Sequence, residues 1–536
     1  MLKRLLYIQR YLKHLTNSER HYDAGSEQKA PRALEPIPTS INDIENRLRT
    51  EFDRCEDIVL RKFKIGGDSS YHTLVVYFDG LVDKEILTST VINPLMIQAR
   101  EIIRDIPLNR RSAYEIIKES LLSNCEVESS KDYRFVIERM LTGDSILFVE
   151  GLDEAFVTCS RGWEARGVEE PDTEATVRGS REGFTECIRN NTAMIRRRIR
   201  NPKLKMEPFI LGRQTNTKII ISYIEGIAHQ EVVEEVRARI KRIDNDAILE
   251  SGQLEELIND APLSLFPTVG NSEKPDKVAA KMLEGRVAIL CDGTPFVLTV
   301  PYLFVEAFQA SEDYYSSSYS SSMIRVFRFI AFLFSIFLPA GYVALITFHR
   351  DVIPFELLVT VAAAREGLPF SSFTEAFIMG LIFELLREAG VRMPRPIGQA
   401  VSIVGALVLG EATIRAGIAG APMIIVTAMT AICSFIVPPL NGFMPIVRLT
   451  ALVCANILGF MGIVIFGAFG VVHLCSLRTF GVPYLFPFAP LHGDDLKDSL
   501  VRVPIWAMLT RPALLRSEAK QNKFRIKLHH QKRDSQ

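Results

Sequence analysis

The stretch Gly405-Ala406-Leu407-Val408-Leu409-Gly410-Glu411-Ala412-Thr413-Ile414-Arg415-Ala416-Gly417 sets a glutamate, a threonine and an arginine inside otherwise lipid-compatible sequence. It lies in a block of apolar segments, residues 324 to 476, behind a long stretch of soluble character. A charge at the centre of a bilayer costs at least ~2.5–3.5 kcal/mol unless it faces protein or water, so an intramembrane polar break marks a functional site. The expectation is a chain that moves something across a membrane.

Composition narrows the classes. Lys+Arg and Asp+Glu are equal at 63 each, so no global attraction to nucleic acid follows. The eight cysteines form no Cys-x-x-Cys and no metal-type Cys/His spacing, which predicts no metal site and a reducing compartment for the soluble part. No Gly-rich phosphate loop follows a strand, so no cofactor is expected. His72 and His229 stand singly beside strands without an assignable nucleophile or base, and no catalytic residue or enzyme activity is expected. A self-contained secondary transporter would carry inverted repeats and more spans than the chain has. The N-terminal Met1–Lys13 lacks the apolar core and cleavage site of a signal peptide; it reads as a frayed basic helix or a membrane-surface helix.

Residues 1–45 are expected to be a poorly ordered leader, with Pro31, Pro36 and Pro38. The fold class that follows is an α/β N-terminal region of two related subdomains, then an all-α integral membrane domain. Two motif pairs carry the duplication. Thr73-Leu-Val-Val-Tyr-Phe-Asp-Gly and Lys218-Ile-Ile-Ile-Ser-Tyr-Ile-Glu-Gly are each a strand ending in acid-Gly before a helical pattern. Ser145-Ile-Leu-Phe-Val-Glu-Gly and Val287-Ala-Ile-Leu-Cys-Asp-Gly are each a strand entering a hairpin, where Gly after an acid supplies positive φ. Gly80 to Gly151 is 71 residues and Gly226 to Gly293 is 67. The subdomains are assigned to 46–165 and 205–305. Between them, 166–204 reads as a charged connector in which Arg196-Arg197-Arg198 forms either a solvated face or a phosphate site. Residues 306–323, with Ser311-Glu-Asp-Tyr-Tyr-Ser-Ser-Ser-Tyr-Ser-Ser-Ser322, read as a serine-rich hinge.

The membrane domain is assigned to 324–476 and a basic cytoplasmic tail to 477–536. From Val501 the tail has nine Lys or Arg against Glu518 and Asp534, a net of +7, and positive flanks stay cytoplasmic. Both termini on one side require an even number of spans. Four are assigned (324–348, 372–388, 418–438 and 444–474), with an interfacial helix at Val352–Ala364 and a re-entrant half-helix at Ile397–Gly410; six is the alternative. Leu407, Leu409, Gly410, Glu411, Thr413, Arg415 and Gly417 are the pore and gating candidates. Glu411 and Arg415, four apart on a helix, either face passing ions or pair with each other. Glu375, Glu384 and Arg387 are the intramembrane charge candidates. Nine residues put the two glutamates about 180° apart, so one is expected to face the bundle and pair with Arg387 or Arg392 and the other to sit at an interface.

Pro354-Phe355-Glu356-Leu357-Leu358, Arg365-Glu366-Gly367-Leu368-Pro369-Phe370 and Phe383 through Pro394 closely resemble the A-subunit family of GerA-type spore germinant receptors. So do Ile397-Gly398-Gln399, Ala416-Gly417, Glu170-Pro171 through Gly179, Ile195 through Arg198 and Arg502-Val503-Pro504-Ile505-Trp506, all in order over residues 50 to 515. The resemblance implies a spore inner-membrane protein acting with a permease-like B subunit and a lipoprotein C subunit. It implies homo-oligomerisation in membrane lipid into a channel that releases cations when the B subunit binds nutrient, with the N-terminal region and tail cytoplasmic. The related stage-V AF-type protein supplies the alternative, a germination-linked ion channel. The chain departs from the family in having Asn271-Ser272-Glu273-Lys274-Pro275-Asp276 where Thr-Glu-Arg-Pro-Asp is frequent, and in the charge that Glu411 and Arg415 bring to the pore loop.

Overall fold

β1 (Ile58–Lys64) and β2 (His72–Phe78) pair antiparallel, Ile58 opposite Phe78, and open a five-stranded sheet with β3 (Val127–Ser130), β4 (Ser145–Val149) and β5 (Ala155–Thr158). The structure is a computed structural model that describes residues 34–65, 72–99, 127–162, 174, 178–392, 410–493, 495–505, 508 and 511–512. A second five-stranded sheet holds β6 (Leu204–Leu211), β7 (Thr217–Ile224), β8 (Gly270–Ser272), β9 (Val287–Cys291) and β10 (Val297–Val300). The strand orders are β1-β2-β4-β5-β3 and β6-β7-β9-β10-β8, the same path drawn twice. The two motif pairs of the sequence occupy equivalent places, β2 with β7 and β4 with β9. Gly151 and Gly293, in the turns that follow, have φ of 84° and 87°, the left-handed region that glycine enters without steric cost.

Each sheet is covered on both faces, which is why its central strands read as unbroken apolar runs. Successive side chains of a strand point to opposite faces. Leu74, Val76 and Phe78 accordingly enter one core and Val75 and Tyr77 another. Ile219, Ile221 and Tyr223 are likewise separated from Ile220 and Ile224. The helices that supply three of these covers are α1 (Ile41–Glu51), α2 (Tyr133–Leu141), α3 (Ile188–Arg198), α4 (Gln230–Arg242), α5 (Ser251–Ile258) and α6 (Pro275–Leu283), and the helical turns Lys84–Leu87, Thr88–Ile92 and Pro94–Gln98 cover the Val75 and Tyr77 face. α1 starts inside the segment assigned as leader, because Ile41, Ile44 and Leu48 make a helical apolar stripe that the first core buries.

The connector is no solvated face. Arg196 is fully buried, donating from Nε and Nη2 to the Asp57 carboxylate at 2.8 and 2.7 Å and from Nη1 to the Leu204 carbonyl at 3.2 Å. Its guanidinium stacks over Phe78 at 4.6 Å, so one side chain joins the two sheets. Beside it Met206 exchanges backbone hydrogen bonds with Arg54 and Glu56. Arg197 and Arg198 pair with Glu182, which leaves no phosphate site among the three. Arg196→Lys keeps the charge but loses the fork that matches a carboxylate. It is expected to lower stability by about 1–3 kcal/mol, read by chemical denaturation of the purified chain.

The C-terminal part is helical: α7 (Ser318–Phe348), α8 (Phe355–Ala364), α9 (Ser372–Arg392), α10 (Ala421–Phe435), α11 (Met444–Leu458) and α12 (Phe460–Ser476). Among the described residues α7 is the one helix long and apolar enough to cross a membrane by length and composition; α8, α10, α11 and α12 are shorter apolar helices. Of the stretch assigned as a serine-rich hinge, residues 318–323 form the first turns of α7, and two short 3-10 helices, Phe304–Phe308 and Ser311–Tyr314, precede them. Ser321 and Ser322 donate back to the carbonyls of Ser317 and Ser318 at 3.0 and 2.7 Å, which satisfies their hydroxyls within the helix.

The stretch assigned as one span, 444–474, is two helices folded on each other. Gly459, at φ 62° and ψ −141°, ends α11 and starts α12. A Cβ there would come 2.8 Å from the His349 ring, so the turn needs glycine for room as well as for conformation. Phe266, below the second sheet, touches both open ends: its ring centroid is 4.6 Å from that of Phe443 and 6.0 Å from that of His473. α7 and α11 therefore run from the sheets to the distal end, and α12 returns.

α9 and α10 both start at the distal end, where Glu375 meets Gly420, and both run toward the sheets. The re-entrant helix placed at Ile397–Gly410 lies outside the described residues except for Gly410. Its flanks nevertheless lie at opposite ends of the bundle, Arg392 toward the sheets and Gly410 beside Ile424 in the first turn of α10. After α12, Arg478–Thr479 pairs with Val482–Pro483, and this hairpin returns the chain to the second sheet through Thr479, whose hydroxyl donates to the Thr268 carbonyl at 2.7 Å.

Candidate functional site

The helical bundle buries charge at two levels. At its distal end Glu375 is fully buried, accepts from Arg365 Nη2 at 2.8 Å and accepts the Gly420 backbone N–H at 3.2 Å. Gly420 is the N-cap of α10, so the carboxylate sits where a helix presents unpaired N–H groups and the positive end of its dipole. Arg365 also donates to Ser372. In the sequence Arg365 stands only within the Arg365–Phe370 motif, with no partner assigned to it.

Nearer the sheets, Glu384 lies 2.7 Å from Arg387 and 3.2 Å from Arg448. Pro339 stands inside α7, and a proline removes the N–H that would bond the carbonyl four residues back. That carbonyl belongs to Ser335, and Arg448 Nε donates to it at 2.8 Å. One arginine of α11 thus satisfies the backbone freed in α7 and neutralises a glutamate of α9. Both glutamates face protein, toward different neighbours. Arg392 pairs with Glu388, leaving Arg387 and Arg448 to Glu384.

The polar break is a helix end. Residues 410–415 are helical, Gly417 has φ 63°, and the N–H groups of Gly417 and Ile418 reach the carbonyls of Ile414 and Thr413 at 3.1 and 3.0 Å. This pattern is a Schellman cap. Thr413 is buried, while Glu411 and Arg415 pair with each other on the outside of the chain, their side chains 60 % and 79 % exposed. Leu407 and Leu409 lie outside the described residues.

Sequence reasoning missed the root of the bundle. Arg325 is fully buried and reaches Asp313 through Nε and Asp498 through Nη1, both at 2.8 Å, while Arg328 also meets Asp313 at 2.8 Å. Close by, Glu306 is buried between Arg286 and Lys281, each 2.8 Å away, and tethers α6 and β9 to the turn before α7. Burial alone would raise the Glu306 carboxyl, but the two cations more than offset it and hold it below the usual carboxylate range. For Asp498 burial dominates and its carboxyl is raised despite Arg325.

The model of the family described as Bacillus/Clostridium GerA spore germination protein matches residues 46–514. The chain is 43% identical over 474 residues to spore germination protein KA of Bacillus subtilis (strain 168), covering 88% of this chain and 86% of that protein. It is 41% identical over 479 residues to the uncharacterized membrane protein YfkQ of the same organism, covering 89% and 91%. A crystal structure of the N-terminal domain of the A subunit of the Bacillus megaterium spore germinant receptor GerK3 is 34% identical, covers 51% of this chain and 99% of its own, and superposes with a TM-score of 0.41.

Proposed function

This chain belongs to the Bacillus/Clostridium GerA family of spore germination proteins, and from that premise we propose that it is the A subunit of a nutrient germinant receptor. In this reading the helical part is an integral membrane domain of six crossings in the spore inner membrane. Several copies surround an axis, and the assembly conducts cations when a permease-like B subunit, held with a lipoprotein C subunit, binds nutrient. The single observation that carries the conducting role is the ion-paired, buried charge inside an apolar bundle, because charge at that depth persists where function requires it. The docking of residues 478–502 against the second sheet and the base of α7 supports a common side for the sheets and the tail; the basic residues make that side cytoplasmic.

Glu411 and Arg415 lie outward on the single chain and so at a surface that neighbouring copies can enclose. With Gly410, Thr413 and Gly417, and with Leu407 and Leu409 preceding them, they are the proposed pore wall. Glu411→Gln is expected to lower cation over anion flux several-fold in liposomes holding the assembled receptor, and Leu409→Ala to raise flux without nutrient. Unchanged conduction and gating in both variants would remove this segment from the pore.

A further inference from the structure

Pro262, Leu263 and Leu265 stand exposed in the loop that joins α5 to β8, and Leu263, at 98 %, is the most exposed large apolar side chain among the described residues. The loop is tied down around them. Asn259 Oδ1 accepts the Ala261 N–H and the Thr268 hydroxyl, and Ser264 Oγ accepts the Phe266 N–H at 3.2 Å. Phe266 is held by the rings of Phe304, Phe443 and His473, and Ser264 Oγ lies 3.0 Å from His473 Nε2. Apolar side chains held together on the outside of an ordered loop mark a contact with another body.

The length of α12 sets the level of that contact. Its 17 residues span about 26 Å, against ~30 Å of hydrocarbon in a bilayer, so a crossing by α12 puts its ends at the edge of the apolar layer. His473 lies in its last turn, and exposed Arg478 follows directly, the residue type that gathers at the cytoplasmic boundary. A loop that meets His473 therefore sits at the bilayer surface. α12 is also peripheral: Gly462 is its one buried residue, and Val471 and Val472, next to His473, are exposed. What lies beside such a helix, and beside the loop at its end, is lipid.

We propose that Pro262, Leu263 and Leu265 dip into the cytoplasmic leaflet, and that the partner of this loop is the acyl-chain edge of the bilayer that holds the bundle. The second sheet is then seated on the membrane and not only tethered to it by the chain. This rests on the reading of the helical part as a membrane domain.

Leu263→Trp in the full-length chain tests it, in nanodiscs of phosphatidylcholine with or without bromine on the acyl chains, the wild-type emission of Trp163 and Trp506 being subtracted. Leu249→Trp is the reference: Leu249 is exposed too, but its carbonyl lies by Gly293 in the β9–β10 turn, at the other end of the sheet from the bundle. The added emission of Leu263→Trp is expected to the blue of the reference and to be lost with brominated lipid. Bromine in the upper half of the chain should quench it more than bromine near the end, since surface-seated apolar groups reach only about 5–10 Å into the boundary. Leu265→Trp repeats the test if Leu263→Trp does not fold. Phe469→Trp, at an exposed position of α12, reports the membrane domain itself. Quenching there with none at the loop would overturn the proposed contact and leave the membrane domain standing, whereas no quenching at either position would remove both. A blue-shifted loop tryptophan that brominated lipid does not quench would put a second copy of the chain over the loop, and would equally overturn the assignment.

Discussion

Replacing Glu306 by glutamine is expected to destabilise the folded chain by about 3–5 kcal/mol, because it leaves Lys281 buried without its counter-ion and strips Arg286 of one of its two. Both cations lie 2.8 Å from the Glu306 carboxylate, and Arg286 keeps only Glu284, at 2.6 Å. The loss should appear as a lowered midpoint in thermal or denaturant unfolding of the detergent-purified protein. The pH dependence carries a definite sign. The folded-state carboxyl is held below its unfolded value, so its contribution is complete above the unfolded pKa and is lost as pH falls through the folded one. The wild type should therefore lose stability on acidification in a range where the glutamine variant loses less. Equal acid sensitivity of the two proteins would show that Glu306 is not the group that titrates.

Arg325→Met is expected to cost a comparable amount, about 3–5 kcal/mol, at the root of α7. It strips Asp498 of its cation, while Asp313 keeps Arg328. Here the sign reverses. The Asp498 carboxyl is raised in the folded state by burial, so the folded protein favours its protonated form, and stability falls as pH rises through the folded pKa. The deficit of Arg325→Met should shrink toward acid pH and largely vanish in the double variant Arg325→Met/Asp498→Asn, where no buried charge is left alone. A double-mutant cycle checks this, since residues sharing an ion pair are coupled rather than additive. Additive losses in the cycle would remove Asp498 as the partner that matters.

These two clusters are where sequence reading stops. Glu306, Arg286 and Lys281 are within 26 positions of one another, but Asp498 is 173 residues from Arg325. Neither set carries a spacing that marks it. An ion pair formed by chain return leaves no periodicity. Gly459 was equally silent: its turn is apolar on both sides, so hydropathy runs on from 444 to 476 without the polar punctuation that usually announces a loop. The pairing of Arg448 with the Ser335 carbonyl follows from the missing N–H of Pro339, and the proline was visible, but its beneficiary was not.

Local grammar, by contrast, was enough for the sheets. An alternation that buries both faces makes continuous apolar runs, acid-Gly turns mark where they end, and the repeat of that order at 71 and 67 residues marks two alike units. The sequence by itself determined the strand motifs, the presence of charge in an apolar bundle and the family. Only the tertiary structure decided the helix directions, the partners of Glu375, Glu384 and Arg196, and the closure of the root over α7. Turns and caps are written in neighbouring residues, whereas a buried charge takes its counter-ion from whichever element packing brings near, and packing is a property of the whole chain.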